Sequence, residues 1–372
     1  MYIETLAVHA GRHTDPATGT IAQPISLSTT FERGRDGEYP LGFSYSRESN
    51  PNRRCLEECL AALEGGTEAR AFPSGMAAVN AIIQGLEPGG HIIAPDDVYY
   101  GLRKVIAEVF GKWRLEVSYV DMTDLNAVNA AVRPQTRLIW VETPSNPLLK
   151  ITDLSAIAAI ARQANAISVC DGTFATPVLQ RPLEWGIDMV VHSTTKYIGG
   201  HSDAVGGGLI TKFQNCLFER ARKSQQFSGV VPSPFDCWLV LRGVDTLPCR
   251  VRAQTESAGR IAAFLKSHRA VEAVYYPGLV DHPGYPVAVR QMIGFGGMLS
   301  IRLCGSHERA MQVGARVQLF TRATSLGGTH SLIEHRASIE GPNTHTPQNL
   351  LRISIGLENT EDLISDLRQA LT

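Results

Sequence analysis

The chain has no apolar run long enough to cross a membrane as a helix, and its first residues, MYIETLAVHAGRH, lack the apolar core of an export signal. It has no excess of either charge. Lys and Arg total 35 against 36 Asp and Glu, a formal net charge of −1, so there is no electrostatic case for a nucleic-acid partner. Cysteine is unpatterned: none of the seven forms a C-x-x-C pair, and no zinc-type spacing occurs. Cys55 and Cys59 stand four apart in a helical pattern with no histidine at ligand distance, so they read as packing residues and no metal is expected. His9, His13, His192, His201, His268, His330, His335 and His345 are scattered and read as surface or packing residues. No internal repeat or low-complexity segment is visible, and no strand-like run leads into a G-x-G-x-x-G turn, which disfavours a nicotinamide enzyme. These absences lead to the expectation of a protein of the reducing cytoplasm with neither membrane nor nucleic-acid partner.

What is present starts with length. At 372 residues the chain can bury large cores and form two domains. Gly186–Gly208 reads GIDMVVHSTTKYIGGHSDAVGGG: a β-rich apolar run, then Ser193, Thr194 and Thr195, then Lys196, then glycines. A lysine at the end of a buried strand loses hydration, which lowers its pKa and frees a nucleophilic amine. Hydroxyls and flexible backbone beside it suit a phosphate. The combination fits a pyridoxal phosphate (PLP) Schiff base, with a solvated surface lysine as the other reading. Ala166–Phe174, AISVCDGTF, is a second buried run and ends at Asp171. A carboxylate there could keep a pyridine nitrogen protonated; a helix cap or turn residue is the alternative.

From His91 to Thr211 strands and helices alternate, which predicts an α/β domain with a mostly parallel sheet. Strands are expected at 91–94, 115–121, 136–142, 166–171, 187–194 and 207–211, and helices at 100–110, 125–132 and 154–165. Ligands of such sheets bind beyond the carboxyl ends of strands. Ser74, Tyr99, Asn146, Asp171 and Lys196 all fall at or just after such ends. Helices are also expected over 54–64, from Ser74 onward, over 213–222, in one long run through 265 and over 360–371. Gln23–Phe31 reads as strand-like. The C-terminal part mixes helices with strands of antiparallel type, such as 297–304 and 350–357.

The run HSTTKYIGGHSDAVGG, preceded by CDGTF and joined by FPSGMAA, ETPSNP and YSRESNPNRR, resembles the Cys/Met-metabolism family of PLP enzymes. That family includes cystathionine γ-synthases, cystathionine β- and γ-lyases, methionine γ-lyases and acylhomoserine sulfhydrylases. The resemblance implies an aspartate aminotransferase-like α/β fold, PLP fold type I. Its parts would be an arm, 1–45, contacting a neighbouring subunit, a PLP-binding large domain, 46–243, and a smaller α+β domain, 244–372. It implies a homotetramer built of dimers that share active sites, with Tyr45 and Arg47 reaching the partner's cofactor phosphate. Within the chain it implies phosphate contacts from Ser74, Gly75, Met76, Ser193 and Thr195, and ring contacts from Tyr99, Asn146, Asp171 and Thr173. Lys196 would be the catalytic lysine, helped by a Tyr99 acidified near a cation. Arg352 and Ser325 would hold the substrate carboxylate, an internal salt bridge being the other reading of Arg352. Thr324 stands where cystathionine-processing members commonly have Glu, Gly172 where Asn is frequent, His330 where Glu is frequent, and Asn52 where Thr is common. The expected activity is γ-replacement or γ-elimination on a homoserine-derived or sulfur amino acid, of cystathionine γ-synthase or γ-lyase type. Methionine γ-lyase, acylhomoserine sulfhydrylase and elimination on an amino acid without sulfur are alternatives; an inactive PLP-fold binding protein is a remote one.

Overall fold

The computed structural model describes residues 1–341, 344 and 346–372; His345 lies outside them. In chain order the strands are β1 Glu68–Phe72, β2 His91–Pro95, β3 Glu116–Val120, β4 Thr136–Glu142, β5 Ile167–Asp171, β6 Met189–His192 and β7 Gly207–Thr211. They form one sheet in the order β1-β7-β6-β5-β4-β2-β3. From β6 to β3 every pairing is parallel; β7 alone runs antiparallel, against both β6 and β1. β2, β6 and β7 are buried along their whole length because helices cover both faces, which is why they read as unbroken apolar runs. Ile82, Trp140 and Val191 pack on one face, and Val141, Leu154 and Cys170 on the other.

The second sheet comprises β8 Val271–Tyr275, β9 Met298–Leu303, β10 Thr321–Arg322, β11 Leu332–His335 and β12 Leu350–Ser354, in the order β10-β11-β12-β9-β8. All its pairings are antiparallel except β10–β11. Helices Leu247–Lys266 and Thr360–Leu371 bury Ile261, Leu265, Leu363 and Leu367 against it. No helix among the described residues is long and apolar enough to cross a membrane.

Several expected boundaries shift, each for a local reason. The helix expected from Arg54 starts at Pro51, because Asn50 caps it by accepting from the Asn52 and Arg53 amides and proline suits a first helical position. The helix expected over 213–222 runs Cys216–Phe227, capped by Asn215. The 100–110 helix is α-helical only over Tyr100–Lys104. It widens to a π turn at Val105–Val109, with the Phe110 N–H reaching Val105 O, and both Ile106 and Phe110 are buried. The long run through 265 is two helices, Pro234–Val244 and Leu247–Lys266. Gly243 there packs on the loop after Lys196: a Cβ would lie 2.1 Å from Gly199 O. Gln23–Phe31 is not a strand. Its one pairing is an isolated bridge, Thr30 to Tyr45, and Ile21 and Leu27 beside and within it are exposed, so the chain's own sheets offer it no edge.

Candidate active site

The carboxyl ends of β1, β2, β4, β5 and β6 share one edge of the large sheet, and a cavity of about 280 Å³ opens there, closed on the far side by residues of the second sheet's loops. Ser74, Gly75, Met76, Tyr99, Asn146, Asp171, Thr173, Ser193, Thr195, Lys196, Thr324, Ser325 and Arg352 all line it. Thr194, although between two lining residues, is buried and turned away.

Lys196 follows β6 in a turn whose backbone is held from behind. Buried Arg250 donates from Nη1 to Tyr197 O at 2.8 Å and from Nη2 to Gly243 O at 2.7 Å. Gly200 must be glycine, since its φ is +72° and a Cβ would fall 2.0 Å from that guanidinium. Lys196 Nζ donates to Ser325 Oγ at 2.7 Å. Burial, and then the nearby Arg352 charge, push the Lys196 amine down to about 8. Ser325 has φ +90°, a strained conformation for a side-chain-bearing residue. Its hydroxyl meets Lys196 while its carbonyl accepts from Arg352 Nη2 at 3.0 Å.

Asp171 accepts from the Thr173 amide at 2.9 Å, and the Thr173 hydroxyl accepts from the Ser193 amide at 2.9 Å. Burial pushes the Asp171 carboxyl up, partly offset by those Thr173 hydrogen bonds, and among the described residues it forms no ion pair. Glu142 is pushed well up by burial and then by the Asp171 charge; its carboxyl accepts from the Tyr99 amide at 2.9 Å, which ties the β2 loop to the end of β4.

The Tyr99 ring packs closely on Gly101, where a Cβ would lie 2.5 Å from it. The expectation of an acidified Tyr99 is corrected: burial, and then neighbouring Tyr100 with its ring centroid 4.9 Å away, push the phenol up to about 12. At the helix Gly75–Gln84, Ser74 Oγ accepts from the Ala77 amide at 3.0 Å, leaving the Gly75 and Met76 amides uncommitted at a helix N-terminus. A Cβ on Gly75 would lie 2.9 Å from the Ser193 side chain, so only glycine lets the two segments meet here.

Arg352, on β12, is buried. It donates from Nη1 to Asn146 Oδ1 at 3.1 Å and from Nη2 to Glu334 Oε2 at 2.6 Å, so an internal salt bridge exists. With the Ser325 carbonyl that commits three of five N–H groups among the described residues and leaves two for a ligand. Tyr45 and Arg47 are not at this cavity: Tyr45 is exposed, and Arg47 donates to Gln226 O at 2.7 Å.

A sequence profile of the Cys/Met metabolism PLP-dependent enzymes matches residues 4–372. The chain belongs to that family. Cystathionine gamma-synthase of Mycobacterium tuberculosis is 48% identical over 373 residues, covering 99% of this chain and 96% of the relative. The crystal structure of metB from Corynebacterium glutamicum superposes with a TM-score of 0.97 at 44% identity, covering 100% of this chain and 98% of that one. Cystathionine gamma-lyase from Lactobacillus plantarum, solved with L-serine, follows at 0.95 and 39%, covering 100% and 98%. The α/β fold inferred from alternation and resemblance is therefore the observed one.

The protein is a PLP-dependent enzyme, and its cavity suits the cofactor on its own terms. Asp171 is a partly buried carboxylate without a cation among the described residues, Lys196 is a desolvated amine, and two helix-start amides await an anion. Apoprotein mixed with pyridoxal phosphate should gain visible absorbance at a rate that rises about tenfold per pH unit below about 8 and levels off above it, because only the neutral amine attacks. A rate flat from pH 6 to 8 would count against Lys196.

Glu142, Arg336 and Tyr100 also line the cavity, although the sequence patterns above do not mark them. Glu142 could have been found as a charged residue ending a buried strand. Arg336, on a five-residue helix after β11, carries no local signal. Among the described residues no cluster of three or more potential metal ligands occurs.

Proposed function

We propose that this enzyme catalyses γ-replacement or γ-elimination on a homoserine-derived or sulfur-containing amino acid, as cystathionine γ-synthases and γ-lyases do. The observation that carries the reading is the convergence of Lys196, Asp171 and Arg352 in one cavity. Bound there, PLP supplies an aldehyde that bonds amines and a ring that takes up electrons from the substrate carbons. Every other step belongs to the chain. Arg352 orients the substrate carboxylate with its two remaining N–H groups. Asp171 would stay ionised and hold a proton on the cofactor's ring nitrogen, gaining the partner its desolvated carboxyl lacks. Lys196 Nζ takes the α-proton and moves it among the carbons, with Ser325 Oγ holding the amine in place between transfers. Tyr99 would present its aromatic face to the cofactor ring. The Gly75 and Met76 amides and the Ser74, Ser193 and Thr195 hydroxyls hold the phosphate, with Thr173 and Asn146 at the ring.

We further propose the division 1–45, 46–243 and 244–372, with the arm contacting a neighbouring subunit, Tyr45 and Arg47 reaching that subunit's cofactor phosphate in a tetramer, and a cytoplasmic location. A second reading rests on Thr324, which lines the cavity where the resembled cystathionine enzymes commonly carry Glu: elimination on an amino acid without sulfur. The deciding experiment incubates purified holoenzyme with acylhomoserines plus cysteine, with cystathionine and with methionine. Thioether or keto acid formed from the homoserine or sulfur compounds is the expected result; no product from any of them would sink the reading.

A further inference from the structure

Two guanidinium groups line the cavity, and the proposed chemistry uses only Arg352. Arg336 is 2% exposed. Its Nη1 donates to Glu334 Oε2 at 2.9 Å and its Nη2 to Glu340 Oε1 at 3.1 Å. Among the described residues three of its five N–H groups therefore remain uncommitted, and the Nε is buried with no acceptor at all. The Nε has no accessible surface and lies out of a ligand's reach, but one N–H on each Nη is also uncommitted at a residue that lines the cavity, and a donor left unpaired there is costly unless a ligand brings an acceptor.

The acids behind Arg336 are shared. Glu334 Oε2 also accepts from Arg352, and Glu340 also accepts from the Thr344 and Thr346 hydroxyls. Neither acid is among the residues lining the cavity, so both cations face it with their counter-charges behind them. The guanidinium carbon of Arg336 lies 5.8 Å from the centre of the Tyr100 ring, so the two sit side by side on this wall. Residue 324 on the facing loop is an uncharged threonine, and the acids that do line the cavity, Glu142 and Asp171, end strands of the other sheet.

We propose that Arg336 is a specificity residue that reads a second carboxylate, carried by the part of the substrate beyond its γ carbon. The preferred class is then amino acids whose side chain or leaving group ends in a carboxylate rather than in a neutral acyl or alkyl group. This rests on the proposed function, in which Arg352 takes the α-carboxylate.

The test compares wild-type holoenzyme with Arg336→Gln and Arg336→Lys. Each is titrated with L-2-aminoadipate, which ends in a carboxylate, and with L-norleucine, which ends in a methyl, while the visible absorbance of the bound cofactor is followed. Wild type should bind aminoadipate more tightly. Arg336→Gln should weaken aminoadipate about tenfold or more with norleucine changed less than about threefold, and Lys should recover part of the loss. The ratio within one variant cancels any general damage to its fold. In turnover with cysteine, O-succinyl-L-homoserine should lose more than O-acetyl-L-homoserine. Equal losses on both ligands, no loss, or a wild type indifferent to the terminal carboxylate would overturn the assignment. A wild-type spectrum unmoved by any amino acid would overturn the proposed function and this assignment together.

Discussion

Lys196→Ala is expected to lower turnover by on the order of 10⁴-fold, to the background of the bound cofactor alone, because one amine both attaches the cofactor and carries the protons. The fold should survive. Among the described residues the lysine side chain makes one hydrogen bond, to Ser325 Oγ, and desolvation already depresses its pKa, so its removal relieves a desolvated amine rather than breaking a network. The variant should therefore melt within a few degrees of wild type, lack the visible band of the lysine-bound cofactor, and still take up PLP reversibly through the Asp171 and helix-start contacts. Normal turnover in the variant would refute the assignment outright. A collapsed melting temperature would show instead that the residue is structural.

Arg352→Gln should have the second largest effect. Truncating one member of a buried, hydrogen-bonded charge pair costs about 2–5 kcal/mol, which corresponds to about 30-fold or more in kcat/KM. Most of it should appear in KM or in the amino-acid titration, since the group holds the substrate and moves no proton. Some stability should go as well, because Arg352 joins Asn146 of the large sheet's loops to Glu334 of the small sheet. Glu334 keeps Arg336 as a partner, so its charge is not left unpaired and the protein should still fold. Unchanged KM with intact cofactor absorbance would remove Arg352 from substrate binding.

The sites that were legible in the sequence share a physical cause. Strand ends beyond apolar runs must expose whatever follows them, so Asp171, Lys196 and Asn146 could be placed at one edge from periodicity alone. The glycines around Lys196 were visible, and the structure supplies their reason at Gly200, where the Arg250 guanidinium fills the space of a Cβ. Arg336 was not legible, because nothing near it in sequence marks a ligand. Its position depends on the pairing of β11 with β12 and on the packing of the small sheet against the large one. The Tyr99 acidity was misjudged for a similar reason: the sequence shows two adjacent tyrosines, but only the packed site shows that burial and Tyr100 outweigh the Arg336 charge. The arm's apparent strand failed because a strand requires a neighbouring edge, and local alternation does not report whether one exists.

By itself the sequence determined the alternation of strands and helices, the parallel core that such alternation requires, the lysine, the acid and the glycine cradle, because each follows from local periodicity or from a backbone that tolerates no side chain. The tertiary structure decided what long-range contact alone can set: the shared grip of Ser325 on Lys196 and Arg352, the salt bridge to Glu334, and the second guanidinium facing the cavity. Those contacts span up to 129 residues of chain, and hydrogen-bond distance between such residues is a property of packed sheets rather than of neighbouring letters.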